Sequence, residues 1–418
     1  MNPVLALGLV AAAGIAIARL PRLSPWHSLT FDLVFAAGTP LVLLGVLLGP
    51  GIELLAPPVL RALAPVTALA VGLIGAVFGA RFEWRYVHRI PWRVWLLVVF
   101  QSAAAFAVVG LAAWLFTRLV PALAAAWSPA LPAILTLAAA AAVSGPDAVA
   151  RVVHALGVRR PVAQTFGLVA ALETAFGAFV FMLALALYPP RGLAGGAGGA
   201  GGAGPGWYTW LALAVGSGIG VGVLFLGLTR LIPEREGLGL RLVGVLLLGA
   251  GIGYAANLSP FVVCALAAAV IVNGSPPLRR QVLAALHTWE HPIYTIFLII
   301  VGALLTLPTA WIVLAVPALA ALRVAAKWTA GRYGREPLRV PALPPHLGLA
   351  TLAQGGVAVA LGINFFLTYG ADAPEAAGAV VTTILLGALL AQALAPPLMG
   401  LALRPARLTG AAPAAEVT

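Results

Sequence analysis

Residues 144–174 read SGPDAVARVVHALGVRRPVAQTFGLVAALET, and the architecture follows from this stretch. It begins inside a long apolar run, where Ser144 to Asp147 interrupt a pattern that would otherwise continue as helix. Proline lacks a backbone donor and glycine loosens the helical ladder, so amides and carbonyls are left free at this point. Irregular backbone at membrane depth persists only where it is buried in protein or lines a watery cavity. The stretch therefore predicts a discontinuous transmembrane helix at the centre of the protein.

The same stretch then passes through a basic turn at Arg159–Pro161 and enters another apolar run, which carries Glu173. A carboxyl group is costly inside a membrane and is by default a functional-site hypothesis. An interrupted helix beside a helix with a buried acid is typical of secondary ion transporters.

The composition defines the class of protein. Hydrophobic residues make up 62% of the 418 residues, charged residues make up 9%, and the mean hydropathy is +1.05. A bundle of membrane-spanning helices needs that much apolar surface, whereas a soluble domain cannot hide it. The net charge of +12 could indicate nucleic acid, but most basic residues lie between the apolar runs, on alternate loops. We predict an all-α polytopic membrane protein that resides in the lipid bilayer and binds no nucleic acid.

Cutting the sequence into apolar runs of membrane-spanning length gives about thirteen spans. They lie at 3–19, 31–48, 58–80, 94–117, 130–156, 161–188, 207–229, 238–256, 259–273, 287–306, 309–330, 346–369 and 377–402. The first run lacks a preceding basic segment, so we expect a spanning helix there rather than a cleaved signal peptide.

The basic residues support this number of spans and give an orientation. The loops after odd-numbered spans, together with the adjoining span ends, carry 18 of the 24 basic residues, and the opposite loops and span ends carry only Arg61, Arg118 and Arg191. We call these the arginine-rich and arginine-poor sides. Because positive charge concentrates on the cytoplasmic side, we predict an N-terminus outside and a C-terminus in the cytoplasm, in a bacterial inner membrane.

A glycine-rich segment, GLAGGAGGAGGAGPG at 192–206, has the composition of a flexible linker. We expect a first six-helix repeat over 1–191, an outer linker with a connecting helix over 192–236, a second six-helix repeat over 237–405, and a short cytoplasmic tail at 406–418. The single connecting helix would invert the second repeat relative to the first, which is the plan of several transporter folds.

Six segments, in order along nearly the whole chain, resemble the monovalent cation:proton antiporter superfamily, which includes sodium/proton exchangers and Kef-type potassium/proton antiporters. They are GVLLGPG from Gly45, GARFEWRYVHR from Gly79, SGPD from Ser144, NLSPFVVCALAAAVIVNGS from Asn257, EHPIYTIFLIIVGALL from Glu290 and GLATLAQGGVAVAL from Gly348. The resemblance implies a homodimer and two discontinuous helices that cross near the membrane midplane. The crossing would involve Ser144, Gly145, Pro146 and Asp147 on one helix, and Gln354, Gly355 and Gly356 on the other.

The chain departs from the family at the ion-binding acid. Members carry Asn-Asp or Asp-Asp in the sixth span, and these two positions fall on Glu173 and Thr174. Thr174 can offer a neutral oxygen ligand but cannot exchange a proton near pH 7. Glu173 therefore becomes the expected proton- and cation-responsive group.

Lys327 is the only lysine in the chain and lies inside the eleventh span, where Asp-Asp members have a lysine that pairs with the first acid. Lysine can lose its proton when desolvated, whereas arginine effectively cannot. A Glu173–Lys327 pair could therefore hand over a proton when a cation displaces the lysine, or it could be a packing salt bridge between the repeats. Arg323 lies one helical turn earlier on the same face, where it either caps carbonyls or, with Lys327, faces an anion.

Other polar residues leave alternatives open. Ser144 and Asp147 are candidate oxygen ligands of the ion, although Asp147 could instead cap the second half-helix. His287, Glu290 and His291 fit an interfacial polar cluster better than a metal site. No nucleophile–base constellation, dinucleotide fingerprint or Cys/His metal spacing is present, so we expect neither an enzyme nor a cofactor, and no metal beyond the transported ion.

The leading hypothesis is proton-coupled antiport of a monovalent cation, Na⁺ or K⁺, by alternating access. Two alternatives keep the fold: an organic-anion or other solute transporter in which Arg323 and Lys327 face the substrate, and a non-transporting membrane sensor or scaffold.

Overall fold

Helices make up nearly all of the chain that the computed structural model describes, which is residues 38–158, 160–189, 207–231, 237–275, 278–338 and 346–403, together with residue 8. Helices satisfy their own backbone groups, which hydrocarbon cannot do. The first nine, numbered α1 to α9 in chain order, are Thr39–Val46, Pro57–Ala62, Ala64–Gly79, Trp84–Val87, Trp92–Leu119, Pro121–Ala126, Ala130–Ala142, Pro146–Ala155 and Arg160–Leu187. The remaining eight, α10 to α17, are Trp207–Leu231, Leu238–Ala255, Pro260–Gly274, Arg279–Ala303, Trp311–Leu338, Leu347–Ala350, Gly356–Tyr369 and Pro374–Leu403.

The all-helical membrane architecture is confirmed. Within the described ranges, seven helices are long and apolar enough to cross a membrane, and four further apolar helices are shorter. Each predicted span from the second to the thirteenth overlaps one of these eleven helices, except the tenth span, which overlaps α13. The helix that overlaps the fifth span, Ala130–Ala155, comprises α7 and α8. The first span, the linker at 192–206 and the tail at 406–418 lie outside the described residues, so the count of thirteen and the division into two repeats stay predictions.

One boundary differs clearly from the sequence prediction. We expected the tenth span at 287–306, whereas α13 begins at Arg279 and ends at Ala303. The first turns of α13 carry Arg279, Arg280 and Gln281, so the apolar run starts later than the helix does. His287, Glu290 and His291 consequently lie within α13 rather than at its start.

Two of the spans are interrupted, as the sequence predicts. α7 ends at Ala142 and α8 begins at Pro146, so that Val143 to Gly145 form an extended link. In the second case α15 ends at Ala350 and α16 begins at Gly356. Both breaks leave several amides and carbonyls without partners in their own helix, and other parts of the protein must satisfy them.

Close helix contacts through small residues bring the surrounding helices together. A Cβ on Gly79 would lie 1.9 Å from the carbonyl oxygen of Ala265, and one on Gly45 would lie 2.1 Å from that of Ile299. These approaches join α3 to α12 and α1 to α13. Small residues allow such packing in a bilayer, where apolar side chains gain little by leaving lipid.

Candidate functional site

The two interrupted helices cross at Gly145 and Gly355, where their backbones touch. A Cβ added to Gly145 would lie 2.3 Å from the backbone nitrogen of Gly355. The amide of Gly145 donates to the carbonyl of Ala353 at 3.0 Å, and the hydroxyl of Ser144 donates to the carbonyl of Thr351. Each broken segment therefore supplies hydrogen-bond partners that the other lacks.

Arg323 donates hydrogen bonds to free carbonyls at both breaks, namely at the C-terminal end of α7 and between α15 and α16. Its guanidinium donates to the carbonyls of Ala141 at 2.8 Å, Val143 at 3.0 Å and Leu352 at 2.8 Å. Only 4% of Arg323 is exposed. Because the C-terminal end of α7 carries partial negative charge, a buried cation is favoured there. Arg323 therefore caps carbonyls, which is one of the two roles that the sequence leaves open.

Glutamine side chains complete this polar layer. The amide of Gln354 donates to the carbonyl of Ala140 at 2.7 Å, and the amide of Gln392 donates to the carbonyl of Gln354. The bonds connect the second break to α7 on one side and to α17 on the other. Gln392 was not among the residues expected from sequence.

Glu173 and Lys327 meet beside the crossing as a fully buried ion pair. The ammonium nitrogen of Lys327 lies 2.9 Å from Oε2 of Glu173, and neither side chain is exposed to solvent. The ammonium also donates to the hydroxyl of Ser144 and, at 3.1 Å, to the carbonyl of Thr351. An ammonium has three donors, so all three are used by oxygen acceptors.

The second carboxylate oxygen of Glu173 is also satisfied. It accepts from the side-chain amide of Gln101 at 2.7 Å and from the hydroxyl of Thr351 at 3.3 Å. The two residues are fully buried. Sequence reasoning missed both Gln101 and Thr351, although an amide inside the apolar fourth span is the kind of residue that marks a polar site.

Thr174 lies next to this pair and links α9 to the first break. Its hydroxyl lies within hydrogen-bond reach of the carbonyl of Ser144 and of the carbonyl of Ala170, the latter at 2.8 Å. A hydroxyl has one proton and two lone pairs, so the Thr174 oxygen can still accept or coordinate. The structure thus brings Ser144, Glu173, Thr174 and Lys327 together at the crossing.

Asp147 lies on the other side of the break, in a cavity. The cavity has a volume of about 270 Å³, and it extends from Gly145 and Gly355 to a mouth lined by charged groups. The carboxylate of Asp147 pairs there with Arg81, and 54% of its side chain is exposed. Gly145, rather than Asp147, occupies the N-cap position of α8. The charged and ionisable groups that line the cavity are Arg81, Asp147, Arg151, His287, Glu290 and His291.

The histidines of α13 form an exposed polar group at this mouth. Nδ1 of His287 lies 3.0 Å from Oε2 of Glu290, and 68% of the His287 side chain is exposed. No group of three or more His, Cys, Asp or Glu side chains that could hold a metal ion occurs among the described residues.

The fold is similar to that of a solved sodium proton antiporter. The chain is similar to the structure of the sodium proton antiporter MjNhaP1 from Methanocaldococcus jannaschii at pH 8, with a TM-score of 0.68 and 15% identity over 98% of this chain and 99% of that chain. An electron-microscopy map of the same antiporter gives a TM-score of 0.65 and 14% identity, with 98% of each chain covered. No protein-family model matches the chain, and no curated protein matches it. The resemblance in sequence is therefore confirmed at the level of the fold, and the similar structures are those of a transporter rather than an enzyme.

Proposed function

We propose that this chain is a secondary antiporter that exchanges protons for a monovalent cation, Na⁺ or K⁺, by alternating access. The observation that carries the proposal is the cage around the ammonium of Lys327. A carboxylate, a hydroxyl and a backbone carbonyl surround it at the helix crossing. Oxygen donors of these kinds also bind small hard cations, so the ammonium occupies a place that a transported cation can take.

The exchange needs only one proton and one cation. In one loaded state Glu173 is a carboxylate and Lys327 is an ammonium, so the pair has no net charge. In the other, the cation binds the carboxylate of Glu173, while Lys327 loses its proton and stays as a neutral amine. That proton leaves to water in the cavity that reaches Gly145 and Gly355. The oxygens of Thr174, Ser144 and Thr351 are the neutral ligands that would complete the cation site.

The rival solute-transport hypothesis has less support. An anionic substrate would need free donors, yet three of the five N–H groups of Arg323 bind carbonyls and all three N–H groups of Lys327 have oxygen partners. An anion would have to displace these partners inside the protein. We therefore place the cation, not an anion, at the crossing.

We also propose that the protein is a homodimer in a bacterial inner membrane, with its N-terminus outside and its C-terminus in the cytoplasm. The resemblance to the antiporter superfamily supports the dimer. The concentration of arginine in alternate loops supports the orientation.

The test is proton movement in proteoliposomes that contain the purified protein and a pH-sensitive dye. Adding Na⁺ or K⁺ should move protons in the opposite direction to the cation, and Glu173→Gln should abolish the signal. Glu375→Gln removes an exposed carboxylate at the start of α17 and should leave exchange unchanged. No proton movement with any monovalent cation, or full exchange by Glu173→Gln, would contradict the proposal.

Lys327→Arg is a sharper variant because it keeps the positive charge but cannot release a proton. A lysine that hands over its proton should not tolerate this change, so exchange should be lost. Exchange at the wild-type rate would leave the pair as a structural salt bridge.

A further inference from the structure

Asn364 carries a side-chain amide that is fully buried and has no partner. Its exposed fraction is 0%, and among the described residues neither Nδ2 nor Oδ1 has a hydrogen-bond partner. A buried amide without partners destabilises the folded protein, whereas leucine has a similar size and carries no polar atoms. The position therefore requires an explanation beyond packing.

Asn364 lies on the side of the crossing that faces away from the cavity. It is nine residues past Gly355 on α16, which corresponds to about 13 Å along the helix. The cavity is lined by Gly355, Gly356 and Val357 but, among the described residues, by no later residue of α16. α16 therefore leads away from the cavity, toward the arginine-poor side.

Asn364 lies on the face of α16 that is turned away from α17. Gly362 faces the side chain of Ile384 on α17, and Asn364 lies about 200° further round the helix. α16 also packs against α3 and α7, which carry the buried residues Thr67 and Thr136. The hydroxyls of these threonines donate to carbonyls of Leu63 and Pro132 one turn earlier. Their oxygens can therefore still accept or coordinate.

Thr136 and Asn364 have matching positions relative to the crossing. Thr136 lies eight residues before Ser144 on α7, and Asn364 lies nine residues after Gly355 on α16. Each is the polar side chain about two turns from its break, on the half-helix that extends away from the cavity. The two half-helices pack against each other.

We propose that Asn364 is a polar binding site for the transported monovalent cation, with its remaining water, in the half of the pathway between the crossing and the arginine-poor side. The inference rests on the proposed antiport. Alternating access requires a second route from the crossing to the opposite face, and a cation that has shed part of its water needs oxygen ligands along it. The amide oxygen of Asn364 supplies such a ligand when that route opens, and it is left unpaired when the route is closed.

Replacing Asn364 by leucine separates this role from a packing role. The change removes an unpaired buried amide, so the melting temperature should rise. Exchange should fall by about tenfold or more, because a ligand to a charged species is lost. Cation-dependent stabilisation, which reports binding at Glu173 from the cavity, should remain. Ile363→Leu is the matched control, since Ile363 is fully buried on the same helix and apolar.

The outcomes distinguish this inference from the antiport itself. If the wild type moves no protons, the proposed function fails. If the wild type and Asn364→Leu exchange at the same rate, the antiport stands and the role of Asn364 is wrong.

Thiol labelling gives a second, independent measurement. Cys264 is the only cysteine of the chain, so a Cys264→Ala background carries no thiol. In that background Asn364→Cys should react with a small cationic methanethiosulfonate added from the arginine-poor side, and Ile363→Cys should not. Labelling of neither cysteine, of both equally, or of Asn364→Cys only from the cavity side would overturn the inference.

Discussion

Gly145 and Gly355 hold the two interrupted helices in direct backbone contact. A Cβ on Gly145 would lie 2.3 Å from the nitrogen and 2.5 Å from the Cα of Gly355. Both of these atoms belong to backbone, so no side chain can turn aside to make room. The contact brings the breaks close enough for Ser144 to bond Thr351 and for Gly145 to bond Ala353. The ion-pair site beside the crossing depends on this spacing.

Gly145→Ala should therefore destabilise the protein and abolish exchange. Forcing a methyl group into backbone contact costs about 1–3 kcal/mol, and more where the backbone cannot move. Thermal unfolding in detergent measures the first effect and proteoliposome exchange the second. Gly244→Ala on α11 is the control, because a Cβ there meets no atom within 4 Å. Equal melting temperatures for the two variants would contradict the proposed crossing geometry.

The ion pair of Glu173 and Lys327 should behave as a unit in a double-mutant cycle. Glu173→Gln or Lys327→Met alone leaves one buried charge without its partner, which costs about 3–5 kcal/mol. The double variant Glu173→Gln/Lys327→Met removes both charges and should regain much of the lost stability. None of the three variants should exchange protons for cations. Additive losses of melting temperature in the double variant would show that the two charges are not coupled.

Much of the fold could be predicted from local sequence patterns. Pro146 and Gly145 disrupt an apolar run by known backbone chemistry, and the break lies where they predict it. Glu173 and Lys327 stand out because an acid and a lone lysine are rare inside apolar runs. In each case the residue type alone is informative, because it is unfavourable inside a membrane-spanning helix.

The polar partners could not be predicted in the same way. Gln101 bonds Glu173 across 72 residues of sequence, and Gln392 bonds the second break from α17. Which amide faces which carbonyl depends on helix rotation and packing, and apolar periodicity does not specify either. Asn364, like Gln101, is an amide inside an apolar run, but only the packed structure reveals that its side chain has no partner.

Arg323 should act through its fork of donors rather than through its charge alone. Arg323→Lys keeps the charge but cannot reach the carbonyls of Ala141, Val143 and Leu352 together. We expect a loss of about 1–3 kcal/mol in stability and slower exchange. Arg118→Lys, at an exposed position, serves as the control in the same unfolding and exchange assays. If Arg323→Lys is as stable and active as the wild type, the charge alone is sufficient.

The pair of Arg81 and Asp147 should tune how readily cations reach the crossing from the cavity. Arg81→Gln removes a positive charge from the cavity wall and should lower the apparent KM for the cation. Asp147→Asn should raise it, and each change should be about two- to fivefold because the pair is partly exposed. The maximal rate should change little in both variants.

Ionic strength provides the check on this electrostatic origin. Raising it with an impermeant organic cation should reduce both KM shifts, since exposed charges are screened by salt. Arg85→Gln changes an exposed arginine that does not line the cavity and should leave KM unchanged. Shifts of the same sign in Arg81→Gln and Asp147→Asn would contradict an effect of charge.

The proposed exchange should be electroneutral. The hydroxyl of Thr174 cannot exchange a proton near pH 7, so among the described residues of the buried site Glu173 and Lys327 carry the coupled charge. The site has no net charge with either the proton or the cation bound, so one proton moves for each cation. A potassium gradient with valinomycin sets the membrane potential across proteoliposomes, and the initial rate of Na⁺-driven proton movement should not change with it. A rate that rises with the potential would require a second proton-carrying group, and it would show that the Glu173–Lys327 pair alone does not account for coupling.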